Sequence, residues 1–480
     1  MKSRVTQTNI GILIVHSKKQ IAPVISFRNS QGELVRGTIT DLQRRTLVME
    51  IYNPYSIVQV SEILTALTVK AGTADVYCGR AVVTSLVSTG LTAVVSVVLA
   101  DEWRELSALT TTDAAAFGSE ARLFIKDWDE RCRVREDYQF AVNELRAFLT
   151  EVSRWVAQVD LASGLPGESE FLSDSTFYEL AEPILKRARL YFDELECIAS
   201  QISSESSSAH RVYAQSALHP LLLRSPFIYR TYTKPLGYAG DYQMVNQILD
   251  NRRQGPNTYF QMINSGFLEG HLAQAHRNRI DILYEFLERL ANSALKEGKK
   301  KRVLNVGCGP AVEIQRFIRE FHTPDILEFV LVDFNEETLG HAKEKIKDAT
   351  LHRKVGVVVD YSHQSVHDLI KRNINVLADA AFDAVYCAGL FDYLSDKVCN
   401  RLLAYFSSQS KRGGKVIFTN VHSKNPDRHF IMDHILEWFL IYRNESDMMR
   451  VSDRAGMRVA RTYLDRTGVN VFVEAEIMNG

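Results

Sequence analysis

At 480 residues the chain is too long for one compact core and sets an expectation of about two to four domains. Its 57 Lys and Arg against 58 Asp and Glu leave a net charge of −1, which provides no global field for nucleic acid or an anionic membrane. The six cysteines are scattered without a CxxC pair, so neither a disulfide framework nor a zinc ribbon is expected, and the chain reads as reduced and cytoplasmic.

In chain order, the apolar run Ile10 to Val15 is too short for a signal-peptide core, and no stretch reaches the length of a membrane span. From about Ile21 to Ala100, β-branched residues and close turns predict a small barrel or meander, residues 1–104. Within it, "RGTITDLQRRTLVMEI" resembles PilZ domains, which often bind cyclic di-GMP. Asp41 matches the D-x-S-x-x-G element of that family, but Gln43 stands where Ser is expected and Thr46 where Gly is expected. No R-x-x-x-R precedes it, so the resemblance implies a degenerate domain serving docking or dimerisation.

Residues 105–230 change to long amphipathic helices. "DYQFAVNELRAFLTEVSRWVAQV" is expected to place Phe140, Val142, Leu145, Phe148 and Leu149 on one stripe. "SSESSSAH", Ser203 to His210, is expected to be a loop between helices. From residue 231 to 480, strand and helix patterns alternate, which predicts an α/β domain with a mostly parallel sheet.

That domain carries the main motif. Val303 to Val306 is an apolar run fit for a buried parallel strand. "GCGPA", Gly307 to Ala311, follows at once, and then a helical pattern begins. Strand, glycine loop and helix leave backbone room for a ligand and aim helix N–H groups at it. "EFVLVDFN" ends in Asp333, 24 residues past Gly309, a spacing that suits an acid bound to two ribose hydroxyls. Dinucleotide enzymes share this pattern, so the spacing alone leaves the cofactor open.

Taken together, "VLNVGCGPA", the strand closing on Asp333, "KVGVVVD" closing on Asp360, "FDAVYCAGLFDYL" and "KRGGKVIFTNV" resemble class I S-adenosylmethionine (SAM) methyltransferases. Ala311 departs from the third glycine of that family's loop. The resemblance implies a Rossmann-like sheet closed by an antiparallel hairpin, so the expected fold is multidomain α/β with a helical middle region and a small N-terminal β-barrel. It also implies that SAM is the cofactor and that Asp360 contacts the adenine amino group. "YTKPLGYAGDYQMVNQIL", "HLAQAHRNRIDIL" and "HILEWFLIYRNESDM" are similar to bacterial proteins assigned to synthesis of 3-hydroxypalmitic acid methyl ester, a quorum signal.

The expected cofactor set is Gly307, Cys308, Gly309, Asp333, Phe334, Asp360, Tyr361, Gly389, Arg277 and Tyr238. Arg277 is the first candidate for the cofactor carboxylate and Arg279 the second; the sulfonium favours aromatic faces. Asp241, in the turn "GYAGDY", is expected to fold over the cofactor. Asp392 and Tyr393 follow the fourth strand of the sheet and are expected to face the acceptor, since ligands sit outside the carboxyl ends of the strands. Ile431, Ile435, Phe439 and Tyr442 are expected to share a helical stripe lining an acyl chain, with Arg443 gripping its carboxylate.

These residues read as a methyltransferase acting on the carboxylate of a hydroxy fatty acid or similar small acid. The alternatives are a SAM-binding regulatory or scaffold protein, or methyl transfer to a hydroxyl or amine. Expected partners are the small-molecule acceptor and a second copy, through the N-terminal or helical region. No metal site, nucleic acid or membrane span is expected.

Overall fold

The computed structural model describes residues 24–28, 34–43, 45–51, 58, 63–71, 74–88, 93–101, 121–122, 125–126, 128–129, 133–162, 172–203, 206–250, 253–353, 356–372, 382–453 and 455–478. The chain divides into two compact units, Met1–Asp129 and Glu130–Gly480. No described helix is long and apolar enough to cross a membrane.

In the first unit six strands close a barrel: β1 Val24–Arg28, β2 Leu34–Leu42, β3 Thr46–Ile51, β4 Ile63–Ala71, β5 Ala74–Ser88 and β6 Ala93–Leu99, in the order β1-β2-β3-β6-β5-β4. The period of two in "AVVSVVL" sends Val95, Val97 and Leu99 inward and leaves Ser96 and Val98 less buried. Pairing of β1 with β4, Val24 opposite Lys70, removes the open edge. At the β2–β3 turn, Thr46 Oγ1 donates to Gln43 Oε1 (2.9 Å) and Gln43 Nε2 donates to Asp41 Oδ2 (3.3 Å). Asp41, Gln43 and Thr46, the three residues compared with the PilZ element in the sequence, are therefore linked to one another.

The second unit opens with helices α1 Glu136–Ala162, α2 Asp174–Ala199, α3 Ser207–Leu222, α4 Pro226–Thr233, α5 Tyr242–Asp250, α6 Thr258–Glu269 and α7 His271–Glu297. In α1, Tyr138, Val142, Leu145 and Leu149 are buried. Phe140 leaves the expected stripe and is exposed, because two residues along a helix turn it about 200° from Val142. Helix α3 begins at Ser207, inside the stretch expected to be a loop.

Seven strands follow: β7 Lys301–Val306, β8 Leu327–Asp333, β9 Val359–His363, β10 Phe382–Cys387, β11 Ser410–Val421, β12 Met457–Leu464 and β13 Asn470–Ile477. Their order is β12-β13-β11-β10-β7-β8-β9. The five strands β7 to β11 pair in parallel, and β13 runs antiparallel to both β11 and β12. This is the Rossmann-like sheet with a closing hairpin. The intervening helices are α8 Val312–Glu320, α9 Glu336–Arg353, α10 Val366–Arg372 and α11 Asp396–Gln409. The strand order reverses between β7 and β10, which opens a crevice beyond their carboxyl ends.

Between β11 and β12 lie a π-helix, Arg428–Ile435, a strap, and helix α12 Glu445–Ser452. Met432 N donates to Asp427 O and Leu436 N to Ile431 O, the i to i+5 spacing of a π-turn. Glu437, in the left-handed region at φ 49°, ends the helix. The expected stripe therefore stops at Ile435. Beyond it the strap is anchored by the Ile441 amide on Asp392 O and the Arg443 amide on Val421 O, so Phe439 and Tyr442 follow no helical period. The π-helix packs into the helical layer, sharing one apolar core with α1 to α6 that includes Phe192, Phe430, Leu436 and Trp438.

Candidate active site

The glycine loop sits at the carboxyl end of β7. The Gly307 and Cys308 amides both donate to Val332 O, at 2.8 and 3.1 Å, which fixes the loop to β8. Gly307 and Gly309 lie at φ 70° and 53°, a region that glycine enters without strain. A side chain built on Gly309 would meet nothing within 4 Å, so the loop faces open space there. Ala311, at the departure from the family loop, adopts φ 51°. Its methyl packs in the core beneath the sheet's helices, against a left-handed backbone cost of about 1–2 kcal/mol.

Asp333 ends β8 and is buried. Its Oδ2 accepts from the Gly309 amide (3.1 Å) and its Oδ1 from the Asn335 amide (3.0 Å). Burial pushes this carboxyl up, and the two amides hold it down. A carboxylate has about four acceptor sites, so this one can accept from an outside donor beside these amides. Cys308 Sγ lies beside it, 4.0 Å from Oδ2, with its thiol pushed up by burial. Phe334 comes next, its ring 5.5 Å from that of Tyr238. The "GYAGDY" turn thereby reaches the end of β8. Its far end is tied by Tyr242 Oη, which donates to Glu337 Oε1 (2.7 Å).

Across the crevice, Gly389 follows β10 at φ 88°, and its amide donates to Thr419 Oγ1 (3.1 Å). A Cβ on Gly389 would come within 2.8 Å of Arg279 Nη1. The Arg279 guanidinium therefore lies against this backbone. It is buried, makes no hydrogen bond among the described residues, and sits in the field of Asp392 and Glu313. Burial lowers its affinity for the proton, and the two acids oppose this. Glu313, in the first turn of α8, is pushed up by burial and accepts from Tyr386 Oη (2.6 Å) and Asn305 Nδ2 (3.2 Å).

Tyr393 closes the crevice on the strap side. Its hydroxyl accepts from Trp438 Nε1 (2.8 Å), and a Cβ on Gly240 would lie 2.8 Å from it. The turn and the strap thus meet over Tyr393.

The structure gathers Gly307, Cys308, Gly309, Asp333, Phe334, Tyr238, Gly389, Asp392 and Tyr393 at these strand ends, but places other expected residues differently. Arg277 and Arg279 are two residues apart on α7, so their side chains leave opposite faces. Arg277 turns to the field of Glu269, and Arg279 takes the crevice. Asp360 is exposed and pairs with Val330, three residues short of Asp333. The residue level with Asp333 is His363, whose Nε2 meets Phe334 O at 2.8 Å, and the Gln364 amide donates to Asp333 O. Tyr361 packs against the apolar cluster under the loop, with Lys343 Nζ 5.9 Å from its ring centre.

Asp241 caps α5: its Oδ1 accepts from the Met244 amide and from Arg230 Nε, each at 2.8 Å, and Arg230 Nη2 reaches Oδ2 at 2.8 Å. Asp392 Oδ1 accepts from the Val421 amide. Arg443 does not present a free guanidinium. Its five donors go to Asp396 Oδ1 twice, Phe391 O, Leu394 O and Asn420 Oδ1, at 2.6–2.9 Å. It braces the loop after β10 and has no donor left for an acceptor. Sequence reasoning missed Asn305, Glu313, Tyr386 and Thr419. The only available signal was the polar position in an otherwise apolar strand or first helical turn.

The crevice fits SAM. A buried cation without a hydrogen-bond partner among the described residues, a buried ribose-type acid and a glycine loop facing open space stand at one switch point.

Among solved structures, the chain is similar to a possible exported protein from Bordetella parapertussis at 14% identity (71% of this chain, 96% of that one, TM-score 0.40). It is also similar to magnesium protoporphyrin IX methyltransferase from Synechocystis with S-adenosylhomocysteine at 15% identity (52% and 98%, TM-score 0.34). A third is the N-methyltransferase NodS from Bradyrhizobium japonicum at 13% identity (49% and 97%, TM-score 0.32). At such identities and scores, nothing about substrate passes from them to this chain. No curated protein matches it. Residues 303–414, from β7 into β11, match the family described as "Methyltransferase domain", and this match supports SAM as the cofactor of the crevice.

Proposed function

We propose that this protein is a SAM-dependent methyltransferase that O-methylates the carboxylate of a small acid, of the hydroxy fatty acid class. Bound in the crevice, SAM supplies a methyl group made electrophilic by its sulfonium. Arg279 holds the cofactor carboxylate with a charge-assisted contact. Asp333 accepts from the ribose hydroxyls, and the amides of the glycine loop line the space opened at Gly309. His363 and Gln364, level with Asp333, flank the adenine. Tyr238, Phe334 and Tyr393 provide aromatic faces and exclude water.

One observation supports a carboxylate acceptor above the alternatives: the crevice acids are already engaged. Asp392 is held by the Val421 amide and faces Arg279, and Asp241 is bound by Arg230 and a helix cap. Burial drives the Tyr393 hydroxyl far from ionisation at neutral pH. His276, beside Trp438, is held neutral down to about pH 3 and bonds to Leu272 O. A hydroxyl or ammonium acceptor needs a base. A carboxylic acid, with a pKa near 4–5, arrives ionised, and charge neutralisation between anion and cation then needs only alignment in a dry site.

The test is incubation of the full chain with methyl-labelled SAM and small-molecule extracts, followed by mass spectrometry. A base-labile methyl ester is expected. Label found only on ether oxygens or amines overturns the acceptor class, and absence of transfer with intact SAM binding favours a regulatory role.

A further inference from the structure

A cavity of about 970 Å³ opens in the helical layer, walled by α2, α6, the start of α7 and the π-helix segment. None of its lining residues belongs to the crevice between β7 and β10. Its size is at the upper end of small-ligand pockets, roughly 300–1,000 Å³. Its inner wall is apolar, formed by Phe192, Phe227, Ile263, Phe267, Leu272 and Leu436. The lining is mixed in charge but unbalanced. Five acids, Glu179, Glu182, Asp193, Glu269 and Asp427, line it with two bases, Lys186 and Arg189, and with His271; Arg277 offsets Glu269, which leaves the exposed Glu179 and Glu182 beside Lys186 as the acids in excess. Arg189 is already engaged: its Nε donates to Asp193 (2.7 Å), and its Nη2 donates to Asp427 (2.8 Å) and lies 2.9 Å from His271 Nδ1.

We propose that this cavity is a binding site, separate from the cofactor crevice, for a single-chain apolar molecule with a positively charged head. The apolar wall takes the chain by removing its surface from water. The excess of carboxylates takes the head, because a cation among them gains Coulomb energy where an anion loses it. The charge balance therefore makes this occupant distinct from a carboxylate acceptor. The site is positioned to report to the crevice, since Leu436 lines the cavity and Trp438, two residues on, bonds Tyr393.

The test is displacement of the neutral fluorescent probe N-phenyl-1-naphthylamine from the full chain by decylamine, decanol or decanoate. Saturable one-to-one probe binding is expected. Decylamine should compete at concentrations at least tenfold below decanoate, with the gap shrinking at high salt. Ala188→Trp fills the cavity from a buried lining position and should abolish probe binding while leaving SAM affinity unchanged. The exposed pair Glu179→Gln and Glu182→Gln should narrow the amine–acid gap at least threefold with probe binding retained, which keeps the test decisive if the tryptophan variant fails to fold. Decanoate competing as well as decylamine, probe binding unchanged in a folded Ala188→Trp variant, or absence of saturable binding would each overturn the proposal. None of these readouts depends on methyl transfer.

Discussion

Replacing Arg443 with lysine separates a brace from a substrate contact. Lysine keeps the charge but offers three donors from one nitrogen, where the guanidinium spreads five over a planar fork. The partners of that fork are Asp396, Phe391 O, Leu394 O and Asn420 Oδ1. Asp396 is half exposed, so water replaces its lost bond at little cost. The two carbonyls and the amide oxygen are within the protein, and a single ammonium can satisfy only some of them. Each buried acceptor left unpaired costs about 1–3 kcal/mol, so Arg443→Lys should lose about 2–4 kcal/mol. Urea unfolding followed by tryptophan fluorescence measures the loss. Hydrogen exchange should show faster opening of the loop from Gly389 to Asp396. An unchanged urea midpoint with a raised acceptor KM would refute the reasoning and restore Arg443 as a substrate contact.

Gly389→Ala combines a left-handed backbone with a Cβ 2.8 Å from Arg279 Nη1. It should weaken SAM affinity by tenfold or more in calorimetry by displacing the guanidinium, and unchanged affinity would remove Arg279 from the site. Burial pushes the Asp433 carboxyl up to about 7 from an ordinary 3.8. Because the folded value is the higher one, the wild type should lose stability as pH rises from about 4 to about 7. Asp433→Asn should flatten that fall and be the more stable form at pH 8. Glu196, also pushed up to about 7, keeps part of the slope, and identical pH–stability curves would contradict the assignment. Trp438→Phe removes the hydrogen bond to Tyr393 and should cost about 0.5–1.5 kcal/mol, with a change in Tyr393 environment visible by ultraviolet difference spectroscopy.

The parts of this fold with strong local signals were legible in the chain. Alternation in "AVVSVVL" and the apolar run before "GCGPA" announce a barrel strand and a buried parallel strand, because strand period and strand burial are written in consecutive residues. The acid at the end of β8 was legible for the same reason. Where several elements converge, the sequence says less. Arg277 and Arg279 have the same chemistry, and only the rotation of α7 decides which faces Gly389. Asp360 ends an apolar run, yet the β8–β9 register carries the strand on to His363. Arg443 and Asp241 looked like free functional charges because their partners, Leu394 O and Asn420 for one and Arg230 for the other, lie on separate elements. The π-helix was missed since its i to i+5 bonds leave no 3.6-residue period to read.

The most direct test is calorimetric titration of S-adenosylhomocysteine into the wild type and an Arg279→Leu variant, with NADH as the control ligand. The account predicts saturable one-to-one binding to the wild type and no heat with NADH. It predicts at least tenfold weaker binding to the variant, about 1.4 kcal/mol, in protein that circular dichroism shows to be folded. Binding of NADH in place of S-adenosylhomocysteine, or equal affinity in the folded variant, would contradict it.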